Sequence, residues 1–126
     1  MLRILIVEDT PVAQTVACWL MKDLGFEFDL AECGQAALDR LKEDSNYDLI
    51  LMDLGLPDIR GDEVTQKLRD STSNLLQPKT KIVALTAHVP LDCAELFDAV
   101  MKKPLLQDIF EETLAEVGLM SVKSSE

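Results

Sequence analysis

The sequence predicts an α/β domain built on a doubly wound, five-stranded parallel sheet with helices on both faces. Three observations lead there. Short apolar runs alternate with helix-length amphipathic segments along the chain. The strongest runs, 4–7, 48–52 and 81–85, are continuously hydrophobic after the Asp48 and Lys81 that open two of them, rather than alternating, which marks strands covered on both faces. The length of 126 residues suits one domain, since compact domains commonly hold about 100–150 residues.

The elements follow in order. After the strand at 4–7 comes Thr10-Pro11, a capping residue and then a proline where its missing N–H does no harm. The helix they open places Val12, Val16, Leu20 and Leu24 at i, i+4 spacing as its inward stripe and stops at Gly25. Residues 28–31 form a weaker second strand. Gly34 leads into a helix over 35–42 with Ala37, Leu38 and Leu41 inward, followed by the strand at 48–52. Gly61 precedes a helix over 62–69, and 71–79 is expected to be an irregular loop before the strand at 81–85. A short or irregular fourth helix is expected over 91–97, after Pro90. Residues 99–101 form a weak fifth strand. The last helix, 105–117, sets Leu105, Ile109, Phe110, Leu114 and Val117 inward. Residues 1–119 are the expected domain and 120–126 a frayed tail. Strands alternating with helices in this order require right-handed crossovers and a parallel sheet.

Composition excludes several function classes. Hydrophobic residues make up 48% and aromatics 5%, so the core is aliphatic and needs neither disulfides nor a structural metal. Twelve basic against 23 acidic residues give a net charge of −11, which opposes direct binding to nucleic-acid phosphates. Cys18, Cys33 and Cys93 are odd in number and far apart, with neither a zinc spacing nor a paired framework; reduced, packed or half-buried thiols are expected. The apolar start, 4–7, meets Glu8-Asp9 too soon for a signal peptide or a membrane span. A cytoplasmic location without membrane contact is expected.

In doubly wound sheets, ligands bind beyond the carboxyl ends of the strands. Those positions hold Glu8 and Asp9, then Asp53, Thr86 and Lys103. Each has a plain structural explanation alone. Glu8 and Asp9 favour the N-terminus of the next helix, Asp53 opens a turn, Thr86 caps or bonds its own backbone, and Lys103 is a solvated charge. Together they put three acids, a hydroxyl and a cation on one rim. Three converging carboxylates resist ionisation unless a cation offsets them, and magnesium, a hard ion that prefers oxygen ligands, suits that role. A lysine and a hydroxyl beside them would neutralise phosphoryl oxygens, and aspartate is a competent nucleophile for an acyl phosphate.

Four motifs carry a resemblance over residues 2–117: Ile4-Leu5-Ile6-Val7-Glu8-Asp9; Leu51-Met52-Asp53-Leu54-Gly55-Leu56-Pro57 with Gly61; Ala84-Leu85-Thr86-Ala87; and Lys103-Pro104. In this order and spacing the chain resembles the receiver domain of two-component response regulators, and is most similar to receivers attached to hybrid sensor histidine kinases. The resemblance implies the flavodoxin-like strand order 2-1-3-4-5. It implies that Asp53 accepts a phosphoryl group from a phosphohistidine on a histidine kinase or histidine phosphotransfer domain. It also implies Mg2+, with Mn2+ as a substitute, on Asp9, Asp53 and the Gly55 backbone carbonyl, with Glu8 acting largely through water. Thr86 and Lys103 would contact the phosphoryl oxygens, and the Lys103-Pro104 bond would be cis.

The chain departs from the family pattern in three places. Val100 stands three residues before the lysine, where Tyr or Phe is usual. Phe97 is not expected to replace it, since an odd offset along an extended segment points to the opposite face. Lys103 follows Thr86 by only 17 positions, fewer than is typical, which truncates the fourth-helix region. Both losses fall on one switching face, so a monomeric relay domain is expected rather than a phosphorylation-driven dimer. Gly55, two residues after the acceptor, replaces a larger side chain, and His88 stands two after Thr86; a loop histidine is its expected role, modulation of acyl-phosphate hydrolysis the alternative. Trp19 flanks the first helix's stripe, where core packing is expected; the alternative is an exposed anchor for a histidine-bearing helix. Rival functions are a pseudo-receiver that binds without phosphorylation, opposed by retention of all five site residues, and a nucleotide- or flavin-binding domain, opposed by the lack of a Gly-rich loop after the first strand. With no effector segment in the sequence, a piece of a hybrid kinase is expected.

Overall fold

A computed structural model describes residues 2–70, 72–87 and 93–120. Strands β1 (Arg3–Val7), β2 (Glu27–Ala31), β3 (Leu49–Asp53), β4 (Lys81–Thr86) and β5 (Ala99–Lys102) form one sheet. Every pairing is parallel and the order is β2-β1-β3-β4-β5. Helices α1 (Pro11–Leu24), α2 (Gly34–Glu43), α3 (Gly61–Arg69) and α4 (Gln107–Glu116) connect and close it. Among the described residues no helix is long and apolar enough to cross a membrane.

The continuous apolar runs are explained by two cores. On one face Leu5, Val7, Ile50, Met52, Ile82 and Ala84 pack with α2 and α3. On the other, Ile4, Ile6, Leu49, Leu51, Val83 and Leu85 pack with α1 and α4. Successive strand residues point to opposite faces, so a strand buried on both sides has no polar position until it ends. The registers then align those ends: Val7 lies opposite Ala31 and Met52, Asp53 opposite Leu85, and Thr86 opposite Lys102. At the other end of the sheet, Tyr47 is fully buried, donates its hydroxyl to Asp29 at 2.6 Å and lies under the Arg3 guanidinium at 4.4 Å.

Four expectations are corrected. In α1 the buried residues are Ala17, Leu20 and Met21, while Val12 and Val16 are 74% and 40% exposed and Trp19 is 75% exposed rather than packed in the core. Periodicity identifies an apolar face, but not which part of it a neighbour covers. The Thr10 side chain makes no capping bond, although Pro11 and the left-handed Gly25 bound the helix as expected. The last helix starts two residues late, because Leu105 and the extended Leu106 belong to the preceding loop, and Ile109 is exposed while Phe110, Thr113 and Leu114 are buried. Finally, Phe97 is buried in the same cluster that Val100 packs against. The chain bends between the turn Ala94–Leu96 and β5, so strand parity does not extend back to residue 97.

That turn, of 3-10 type, is the only helical structure among the described residues of the β4–β5 connection. Residues 88–92, including His88 and most of the expected start of the fourth helix, lie outside the described residues, as do residues 121–126 of the expected tail. Arg69 of α3 donates to the Leu96 carbonyl at 2.9 Å and to Asp98 at 3.1 Å, and Asp98 also accepts the Ile82 amide at 2.7 Å. The shortened connection is thereby fastened to both α3 and β4.

Candidate functional site

Each strand end delivers one part of the site. Beyond β1, the Glu8 amide donates to the Ala31 carbonyl at 3.0 Å, and Glu8 Oε2 accepts the Thr10 amide at 3.2 Å. The Glu8 side chain is thus held inward, with the residue only 2% exposed; Asp9 beside it is half-buried. β3 ends on Asp53, 3% exposed. The next amide, Leu54, still bonds to the Leu85 carbonyl, and the Gly55 amide turns back to donate to Asp53 Oδ1 at 3.1 Å. From the far side, the Lys103 amide donates to the Thr86 carbonyl at 2.8 Å, and the Lys103-Pro104 bond is cis.

The Lys103 ammonium lies 2.8 Å from Asp53 Oδ1 and 3.3 Å from Glu8 Oε1. One carboxylate oxygen each of Glu8, Asp9 and Asp53 falls within 4.8 Å of the others. Burial, and then the Asp53 charge, push the Glu8 carboxyl above the ordinary glutamate value. Burial acts on Asp53 in the same direction, but the Lys103 ammonium, the Gly55 amide and the bond to Glu8 outweigh it and hold Asp53 below the ordinary aspartate value. Lys103 is likewise raised: desolvation opposes its charge, and Asp53 and Glu8 overcome it. Three hard oxygen donors this close form a set that suits a small divalent cation.

Two glycines shape the acceptor loop. At Gly61 a Cβ would run into the Asp53 carbonyl oxygen and come within 2.8 Å of Leu54 Cα, so only glycine lets α3 start directly beneath the end of β3. At Gly55 the space is open; a Cβ would meet only Asp53 Oδ1, at 3.9 Å. Beside the site, an apolar groove of about 460 Å³ runs between α1 and the loop after β5, with Val12, Val16, Ala17 and Leu105 in its walls and Glu8 and Lys103 at its end.

Sequence reasoning passed over Asp58. Its two carboxylate oxygens accept the amides of Gly34 and Gln35, at 2.9 Å each, at the start of α2. The available signal was α2 itself: it begins after Cys33 with no hydroxyl or carboxylate cap, although its first amides need acceptors.

The sequence matches the response regulator receiver domain family over residues 4–117. The chain belongs to that family. This receiver domain is 33% identical to the sensor protein GacS of Pseudomonas syringae over 118 residues, covering 93% of this chain and 13% of GacS. It is 37% identical to the aerobic respiration control sensor ArcB of Escherichia coli over 108 residues, covering 82% of this chain and 14% of ArcB. The chain therefore spans about one seventh of the length of these relatives. Its fold superposes on the response regulator TrrA of Thermotoga maritima in complex with Mg2+ and BeF with a TM-score of 0.79 at 29% identity, over 93% of this chain and 99% of TrrA. A structure of the histidine kinase ThkA in complex with TrrA gives a TM-score of 0.78 at 30% identity, over 94% of this chain and 99% of that one.

Within this receiver, distance brings Glu8, Asp9, Asp53 and Lys103 together, and backbone bonding ties Gly55 to Asp53 and Thr86 to Lys103. Thr86 is itself buried at the end of β4.

Proposed function

We propose that this domain is the phosphoacceptor of a phosphorelay, with Asp53 as the residue that carries the phosphoryl group. The contact that supports this most directly is Lys103 Nζ to Asp53 Oδ1, at 2.8 Å inside an acidic triad. It leaves an ionised, hydrogen-bonded carboxylate beside Lys103, which with Glu8 lines the end of the apolar groove. Asp53 Oδ2 is the natural nucleophile, since Oδ1 already accepts from Lys103 and Gly55. As the O–P bond to Asp53 forms, the P–N bond of the donor phosphohistidine breaks and the imidazole keeps the electron pair. Lys103 follows the charge from the carboxylate to a phosphoryl oxygen, and the Thr86 hydroxyl donates to another. Mg2+, or Mn2+ in its place, held by Asp9, Asp53 and the Gly55 carbonyl with Glu8 acting through water, would neutralise the remaining phosphoryl charge. Hydrolysis or onward transfer then empties Asp53.

The donor in this reading is a histidine kinase or a histidine phosphotransfer domain whose helix lies along α1. Val12, Val16 and Trp19 supply exposed apolar contacts beside the groove for such a helix. Residues 1–119 act as the unit, in the cytoplasm, without contact to nucleic acid or membrane. The unit works as a monomer, because Val100 and the shortened β4–β5 connection replace the usual switching face. Sedimentation with beryllofluoride should show no dimer; a dimer would contradict the monomeric relay. The acceptor itself is tested by intact mass after incubation with Mg2+ and acetyl phosphate. A phosphoryl adduct in the wild type and none in Asp53→Asn is expected; equal adduct in both would refute the assignment. A pseudo-receiver would show no adduct in either.

A further inference from the structure

We infer that Asp58 is a positioning residue for the phosphoacceptor site: clamped across the Gly34 and Gln35 amides, it sets the path of the Asp53–Gly61 loop and with it the Gly55 carbonyl. The inference rests on the proposed role of that carbonyl as a metal ligand.

The loop has few other means of holding its shape. Its first residues are anchored by the Leu54 amide on Leu85 and the Gly55 amide on Asp53. Its end is anchored where Gly61 passes under the backbone of Asp53 and Leu54. Between these, Leu56 is buried in the core and Ile59 packs against it, but Gly55 is exposed and has no side chain to pack. Asp58 supplies a polar fixed point between Leu56 and Ile59, and it does so from 24 and 23 residues away along the chain. The bonds are charge-assisted and lie at a helix N-terminus, where a carboxylate is favoured. The amides of Gln35 and Gly34 hold the Asp58 carboxyl well below the ordinary aspartate range.

The clamp has little slack. A Cβ on Gly34 would come within 2.9 Å of Val64 Cγ2 and 3.1 Å of Ile59 Cβ, so the start of α2 lies directly on the far end of the loop. Cys33 Sγ accepts only the Ala36 amide, at 3.4 Å, which leaves the two preceding amides to Asp58. Releasing them frees the loop tip and the helix start together. Metal ligands depend on the groups that orient them, and losing such a support commonly costs roughly 10–100-fold in affinity.

A purely structural role, as a cap for α2, makes a different prediction, and Leu38→Ala separates the two. Leu38 is buried in the core under α2 and takes no part in the Asp58 clamp, so its truncation destabilises the helix without releasing the Gly34 and Gln35 amides. Isothermal titration with Mg2+, thermal melting and amide hydrogen exchange of the metal-free protein would be measured on wild type, Asp58→Asn, Asp58→Ala and Leu38→Ala. Asp58→Ala should bind Mg2+ roughly tenfold more weakly and exchange the Gly55 amide faster. Asp58→Asn, which keeps one acceptor oxygen, should fall between it and the wild type. Leu38→Ala should melt lower yet bind Mg2+ like the wild type. Unchanged affinity in Asp58→Ala, or an equal loss in Leu38→Ala, overturns the inference while a normal Asp53 adduct leaves the acceptor assignment standing. A wild type that binds no Mg2+ and forms no adduct overturns both.

Discussion

Lys103 Nζ lies 2.8 Å from Asp53 Oδ1, and the same nitrogen is 3.3 Å from Glu8. The lysine from the end of β5 is therefore the internal counter-ion of two buried carboxylates delivered by β1 and β3. Their attraction outweighs desolvation at Lys103 and Asp53, which are raised and lowered respectively. Glu8 bears the remaining strain, with its carboxyl raised by burial and by Asp53.

Removing that counter-ion should make stability depend on pH. A carboxyl raised in the folded state stabilises the fold while protonated, and that contribution is lost as pH rises from the ordinary glutamate value through the folded one. In Lys103→Met the Glu8 carboxyl is raised further, so the variant should lose about 2 kcal/mol at pH 8 and distinctly less at pH 5. Urea midpoints at the two pH values check this. An equal loss at both would show that Lys103 does not compensate the carboxylates.

Gly61→Ala should damage stability and chemistry together. The added methyl collides with the Asp53 carbonyl and the Leu54 backbone, and neither can move without displacing the end of β3. A loss of about 1–3 kcal/mol is expected, with slower phosphorylation by acetyl phosphate. Wild-type denaturation and kinetics would mean the α3 start can shift freely.

Gly55→Met should behave in the opposite way. The space around Gly55 is open, its Cβ position touching only Asp53 Oδ1 at 3.9 Å, so stability should hold within about 0.5 kcal/mol. The new side chain covers the approach of water to the acyl phosphate, and the lifetime of phospho-Asp53 should lengthen several-fold, read by intact mass over time. An unaltered lifetime would show that this approach does not limit hydrolysis.

Trp19 offers a test of the docking face. Because it is 75% exposed, Trp19→Ala should change stability by no more than about 0.5 kcal/mol. Loss of an aromatic anchor should slow phosphotransfer from a histidine kinase roughly tenfold. Acetyl phosphate, which needs no protein surface, should label the variant at the wild-type rate. Equal slowing with both donors would place the defect in the fold instead.

The reach of sequence reasoning is visible in individual residues. Glu8, Asp9, Asp53, Thr86 and Lys103 were legible because each stands within two residues of the end of an apolar run, and in any parallel sheet those ends share a rim. Gly61 was visible as part of a motif, but its reason, the backbone of Asp53 and Leu54 lying directly against it, was not. Val12, Val16, Trp19 and Ile109 were expected inside and lie exposed. Phe97 was expected to face away from Val100 and shares its cluster. Helical period and strand parity describe an element relative to itself, whereas these placements depend on where a second element ends.

The order and length of the apolar segments determined the parallel sheet, its two buried faces and the rim on which the charged residues stand, because these follow from local hydrophobic pattern and chain connectivity. Tertiary structure alone decided which side of α1 is covered, how Arg69 and Asp98 fasten the short β4–β5 connection, and that Asp58 joins the acceptor loop to α2. Such contacts join residues far apart in the chain, and their energy depends on distances of a few ångströms that only the packed fold sets.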